Sequence, residues 1–125
     1  MPVSVWCILI AAILPLIAVI PAKLNKDFDN ANPRDPEYWK LPFRTRAQSA
    51  QINSFEAFPF FAIAVIVGLG QGGDAAWIDK LAVLFVGLRI IYIASYWTDR
   101  ATPRSVAWAM AYLTIIGIFT APVWS

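Results

Sequence analysis

The sequence predicts an all-α integral membrane protein, a single domain over residues 1–125 built as a four-helix bundle. Three observations predict it. The chain is 59% hydrophobic and only 14% charged, with a mean hydropathy of +0.60, whereas a soluble domain of this length carries far more charge. Four apolar runs long enough to cross a bilayer take up most of the 125 residues. The segments between the runs gather most of the glycines and most of the charged residues.

The first run, about residues 3–22, reads VSVWCILIAAILPLIAVIPA. No Lys or Arg precedes it and it has full spanning length, so it reads as a transmembrane helix rather than a signal peptide. Pro15 is expected to kink it and Pro21 to help end it. A polar stretch follows, KLNKDFDNANPRDPEYWKLP, which reads as a turn-rich loop rather than a fifth helix. The second helix is expected over about 43–69. At 1.5 Å per residue it is roughly 40 Å long, more than the hydrocarbon core, so its first turns project into the headgroup region. Pro59 should bend it beside Glu56. The glycine-rich GLGQGGD is a short hairpin connection; no Gly-Lys-Ser/Thr follows it to make a phosphate loop. The third helix is expected over about 75–97 and the fourth over about 103–123, with Thr102 as N-cap and Pro103 at the first helical position.

Loop one and the start of helix two carry Lys23, Lys26, Arg34, Lys40, Arg44 and Arg46, and loop three carries Arg100 and Arg104. Loop two has only Lys80 nearby, so loops one and three are expected on the cytoplasmic side. Trp6, Trp77 and Trp124 then fall at one interface, and Trp39, Trp97 and Trp108 near the other, as in an aromatic belt. The short chain without targeting signals suits a bacterial inner membrane. A net charge of +2 gives no basis for nucleic-acid binding. Cys7 is the only cysteine and His is absent, which excludes an internal disulfide and a Cys/His metal set.

The chemistry lies in RAQSAQINSFEAFP, residues 46–59, which places Gln51, Asn53 and Glu56 inside a spanning helix. A carboxylate at mid-membrane costs about 2.5–3.5 kcal/mol on insertion scales and asks for a partner or a function. Arg46, Ser49, Asn53 and Glu56 share an arc of about 80° on helix two, while Gln51 lies on another side. Arg89, Tyr92 and Tyr96 share a similar arc on helix three. Counted from the hairpin, Glu56 and Arg89 sit at equal depth, about 20 Å in. A salt bridge between them that only sets helix register is the simpler expectation. The fuller one is a polar cavity open to the cytoplasmic side. Arg104 would stand at its mouth, where the start of helix four favours an anion.

N-x-x-E-x-x-P on helix two, R-x-x-Y-x-x-x-Y on helix three and a basic residue at helix four together resemble the MAPEG family, membrane-associated proteins in eicosanoid and glutathione metabolism. The likeness covers nearly the whole chain, and AQINSFEAFP is its most specific part. The resemblance implies a MAPEG-like homotrimer of four-helix subunits, with glutathione as co-substrate bound between subunits and a hydrophobic small molecule arriving from the membrane lipids. It implies glutathione contacts from Gln51, Asn53 and Glu56 and from Arg89, Tyr92 and Tyr96, with Arg104 beside the glutathione sulfur. Many members carry an arginine four residues before the asparagine; that position is Ser49, and Arg46 one turn earlier would reach the same ligand carboxylate. The implied activity is that of a glutathione transferase or peroxidase acting on hydrophobic electrophiles. Two other readings remain open: a small transporter coupled to Glu56, and a catalytically silent protein of the same fold that binds a lipid or an anion.

Overall fold

The computed structural model describes residues 1–125. It is all-helical: α1 Val3–Lys23, α2 Pro42–Gly70, α3 Ala75–Trp97 and α4 Ala101–Trp124, with one 3-10 turn at Tyr38–Lys40. By length and composition α1, α2 and α4 could cross a membrane. The sequence expectation counted four such runs; α3, at 23 residues, carries Asp79, Lys80 and Arg89 and falls outside that set.

Each helix buries one seam, and the seams are rich in small residues. On α1 the seam is Ser4, Cys7, Ala11, Leu14, Ala18 and Ala22. On α2 it is Ala47, Ala50, Ser54, Ala57, Phe61, Ala64 and Gly68. The alternating three- and four-residue spacing keeps these positions on one stripe, and the small side chains let backbones approach closely. Phe61 and Phe85 stack in the middle, their centroids 4.0 Å apart and planes 6° off parallel. Around this core the outer faces stay apolar, with Ile52, Phe55, Phe60, Ile63 and Ile66 of α2 all exposed. That surface suits lipid or another subunit rather than water.

The helix ends explain the short turns. At the end of α2, Gly72 has φ +91°, and the Gly73 N–H donates to the Gly68 carbonyl at 2.8 Å. At the end of α3, Asp99 takes φ 56°, and the Arg100 N–H donates to the Ser95 carbonyl at 2.8 Å. Both are left-handed C-caps that satisfy late carbonyls and turn the chain sharply. Because Asp99 turns it so early, α4 starts at Ala101, not Pro103, and Arg100 holds the cap position without a side-chain bond. Thr102 is thus inside the helix rather than its N-cap. Likewise Pro21 lies within α1, which runs on to Lys23. Asp74 caps α3 through the Ala76 N–H at 3.0 Å, and Asp79 accepts the Ser4 N–H at 2.8 Å, tying the start of α1 to α3.

Loop one, the segment before α2, is pinned to the bundle rather than solvated throughout. Tyr38 and Trp39 are buried; the Tyr38 hydroxyl donates to the Ala22 carbonyl, and the Trp39 indole N–H to the Pro33 carbonyl at 3.0 Å. Arg44 lies over the Tyr38 ring at 4.1 Å and grips Asp27 with two bonds of 2.8 Å. That hydrogen bond holds the Asp27 carboxyl below the usual carboxylate range. A lowered folded-state value means the latch contributes stability above the unfolded carboxylate pKa of about 3.9 and loses it as pH falls through the folded value. Amide-exchange protection of residues 27–44 is therefore expected to be unchanged from about pH 7 to about pH 5 and to fall below about pH 4. Asp27→Asn should lack the step. A loss of protection at the milder pH in the parent chain would refute the latch.

Candidate functional site

The site is built where α2, α3 and α4 meet at the end bearing loops one and three. Ser54 belongs to the buried seam of α2, and its hydroxyl donates to the Ala50 carbonyl at 2.7 Å. Its oxygen in turn accepts Arg89 Nη2 from α3 at 3.2 Å. The Arg89 guanidinium covers the Tyr92 ring at 4.2 Å, and Tyr92 meets Tyr96 edge-on at 5.5 Å. Tyr96 then takes two more cations. Arg104, in the first turn of α4, lies over its ring at 4.5 Å, and Arg46 Nε donates to its backbone carbonyl at 3.1 Å. That carbonyl belongs to the last turn of α3, where the helix dipole favours a positive charge. Five of the residues singled out in the sequence, Arg46, Arg89, Tyr92, Tyr96 and Arg104, thus form one unbroken chain of contacts.

Asn53 and Glu56 sit on the flank of α2 beside that chain. Asn53 is half-buried and Glu56 is exposed. Asn53 Oδ1 is buried with no hydrogen-bond partner within the chain. Arg89 and Tyr92 are 1% and 5% exposed, so they support the site from beneath, whereas Arg46, Tyr96 and Arg104 keep partial access to its surface.

Two expectations need correction. No Glu56–Arg89 salt bridge forms; the ion pairs are Lys40–Glu37 and Arg44–Asp27. Depth matched the two residues, but direction separates them: Glu56 is about 200° around the helix from Ser54, and Ser54 is the residue that faces Arg89. Nor does the stripe line a cavity within one chain. Of the stripe residues only Arg89 lines one of the four main cavities of this chain, and Asn53, Glu56, Tyr96 and Arg104 line none of them. Gln51 is on a third side, in a groove of about 520 Å³ with Lys23, Arg34, Trp39 and Gln48.

Sequence reasoning passed over Ser54. The signal was present: a hydroxyl residue inside the seam of small residues that runs Ala47, Ala50, Ala57 and Ala64.

Chemically, the open face offers two guanidinium groups, one carboxylate, one phenol and one side-chain amide. That set suits a ligand carrying both carboxylate and ammonium groups, and a cation beside a thiol favours its thiolate. No curated protein matches the chain. The MAPEG family model matches residues 3–124, nearly its whole length. Four helices, three of them fit to cross a membrane, agree with that match, and the chain belongs to the MAPEG family, membrane proteins of glutathione and eicosanoid metabolism.

Proposed function

We propose that this protein is a membrane-bound glutathione transferase or peroxidase acting on hydrophobic electrophiles, assembled as a homotrimer. The observation that carries the reading is the Arg46–Tyr96–Arg104 arrangement beside Glu56 and the unpartnered Asn53 Oδ1. Glutathione fits this donor set. Arg46 takes a carboxylate in place of the arginine absent at Ser49, Glu56 takes the ammonium group, and Asn53 Oδ1 accepts a peptide N–H. Arg104 holds the sulfur as thiolate. In transfer, the thiolate forms a carbon–sulfur bond as the leaving group departs with its electron pair. In the peroxidase variant, the thiolate attacks the terminal hydroperoxide oxygen, the O–O bond breaks and the alkoxide leaves, taking a proton to become the alcohol; a second glutathione thiol then attacks the sulfenic acid so formed, giving the disulfide and water. Arg89 holds Tyr92 from below and so sets the position of Tyr96.

The homotrimer supplies the second wall. Glu56 exposed at mid-span is costly against lipid and asks for a covering surface. Gln51 points about 160° away from Asn53 around α2, so both reach one ligand only across an interface between copies. Loops one and three face the cytoplasm, which brings water-soluble glutathione to the Arg104 end, as the basic residues of those loops direct.

The test is a glutathione titration of the purified trimer, following ultraviolet thiolate absorbance. Saturable thiolate formation is expected at millimolar glutathione. No binding by an intact trimer at that concentration would sink the proposal. One observation favours a second reading, transport coupled to Glu56: that exposed carboxylate forms no ion pair within the chain. pH-dependent uptake into liposomes that disappears in Glu56→Gln separates the two.

A further inference from the structure

Two grooves meet on the side of α3 that faces away from Tyr92 and Tyr96. The first, of about 280 Å³, runs between α1 and α3 and is lined by Leu14, Ile17, Ile90, Ile93, Ala94 and Trp97, all apolar. From Ile90 to Trp97 it follows α3 for about 10 Å towards the end bearing loop three. Its Trp97 wall is fixed, because the indole N–H donates to the Ala18 carbonyl of α1 at 2.9 Å. The second groove, of about 320 Å³, lies where α3 passes into α4 and is lined by Ile91, Ala94, Ser95, Thr98, Arg100 and Pro103. Ala94 lines both, so an apolar trough opens onto a polar one. Ala94 stands about 160° around α3 from either tyrosine, which separates these grooves from the candidate site.

The polar groove has one free charge. The Ser95 hydroxyl donates to the Ile91 carbonyl at 2.7 Å, and the Thr98 hydroxyl to the Ala94 carbonyl at 2.8 Å. Each hydroxyl has a single hydrogen, so neither has a donor left for a ligand. Arg100 is exposed, takes part in neither of the chain's ion pairs and makes no side-chain bond at the cap of α4. No acidic side chain lines either groove. A solvated arginine alone would ask for no ligand. An arginine at the open end of a preformed apolar trough, in a helix bundle fit for a membrane, matches an amphiphile with an anionic head and a hydrocarbon tail.

We infer that these joined grooves bind one anionic phospholipid, its phosphate on Arg100 and one acyl chain laid past Ala94 along the trough towards Leu14. A guanidinium holds a phosphate by paired charge-assisted bonds. The chain adds affinity by covering Ile17, Ile90 and Ile93 with hydrocarbon that fits a concave surface. Charge selects the headgroup: a zwitterionic lipid brings an ammonium group that no carboxylate in the grooves receives. The direction also fits, with the head at the helix ends, Trp97 near headgroup level and the tail running to the middle of the bundle. The inference does not depend on glutathione chemistry, since Arg46, Tyr96 and Arg104 line neither groove.

The test uses the full chain in detergent, mixed with equal amounts of phosphatidylglycerol and phosphatidylcholine that carry the same acyl chains. Native mass spectrometry then counts the lipid retained. One phosphatidylglycerol per subunit is expected, with a preference of about tenfold over phosphatidylcholine. Arg100→Ala should remove the preference. Lys80→Ala, which deletes a basic residue near the opposite end of the bundle, should leave it intact. Ala94→Phe blocks the junction of the grooves while keeping Arg100 and should abolish retention. Glycerol phosphate, a head without chains, should fail to displace the lipid at millimolar concentration. Equal retention of the two lipids, an equal loss in Lys80→Ala and Arg100→Ala, full retention by Ala94→Phe, or displacement by glycerol phosphate would each overturn the site. If Ala94→Phe fails to fold, the comparison of Arg100→Ala with Lys80→Ala decides.

Discussion

Replacing Arg104 by leucine is expected to lower kcat/KM for glutathione conjugation by about 100- to 1,000-fold, while glutathione binding changes only a few-fold. The magnitude follows from the role proposed for the guanidinium. Removing one preorganised donor from developing or stored negative charge costs about 2.7–4 kcal/mol in a water-poor site. Here the side chain is fixed in two ways. Its backbone is in the first turn of α4, whose N–H groups add positive potential. Its guanidinium is held over the Tyr96 ring at 4.5 Å. An unperturbed thiol titrates near about 8.5, and each unit of lowering is worth about 1.4 kcal/mol. Losing the cation moves the thiol back up, so the thiolate fraction at neutral pH falls about tenfold for each unit. The pH–rate profile should accordingly shift to higher pH in Arg104→Leu. Arg104→Lys should fall between, because it keeps the charge but loses the planar stack on Tyr96. Arg46→Leu should instead raise KM, since the proposed role of Arg46 is to hold a substrate carboxylate remote from the sulfur. If Arg104→Leu retains the wild-type rate and profile, thiolate stabilisation by this residue is wrong.

The order of helices and the stripes on α2 and α3 were legible because apolar runs and helical periodicity act locally. What misled was anything set by rotation or tertiary contact. Counting rise along two antiparallel helices put Glu56 level with Arg89 correctly in principle, yet pairing also requires facing. Facing is set by which residues form the buried seam, and that seam runs through Ser54 and Ala57. Glu56 falls outside that seam and Ser54 inside it. Loop one was read from its charged and turn-forming residues. Its ordering comes from Tyr38, Trp39 and Arg44 packing onto the end of α1, contacts that no local propensity encodes. The start of α4 differs for a similar reason: Thr-Pro is a sound start signal, but a left-handed Asp99 had already turned the chain. The candidate site is half legible for a deeper cause. Asn53, Glu56, Tyr96 and Arg104 gather on one side of the bundle, whereas Gln51 lies on another side of α2, in a groove with Lys23, Arg34 and Trp39, so one stretch of sequence serves two separate surfaces.

Gly68→Ala is expected to destabilise the bundle by about 1–3 kcal/mol, although alanine is the better helix former. A Cβ at this position would stand 2.6 Å from the Ile118 carbonyl oxygen and 3.2 Å from Ile78 Cδ1. The isoleucine tip can rotate away. The carbonyl cannot, because it belongs to the backbone of α4, so α2 and α4 must separate or slide. Separation opens the contact around Val65, Ile118 and Ala121, all nearly unexposed, and the lost packing exceeds the helix-propensity gain of at most about 1 kcal/mol. Gly87→Ala is the matched control: nothing lies within 4 Å of its Cβ position, so it should be neutral or stabilising. Unfolding in mixed detergent, with both variants against the parent, measures the difference. Gly68→Ala as stable as Gly87→Ala would show that the helices yield at no cost. The consequence reaches the site. Arg104 stands fourteen residues from Ile118 on the same rigid helix, about 21 Å away, so a tilt of α4 at Gly68 displaces the guanidinium from Tyr96. Gly68→Ala should therefore slow conjugation without touching glutathione, with restored rate in any second-site variant that restores the α2–α4 distance.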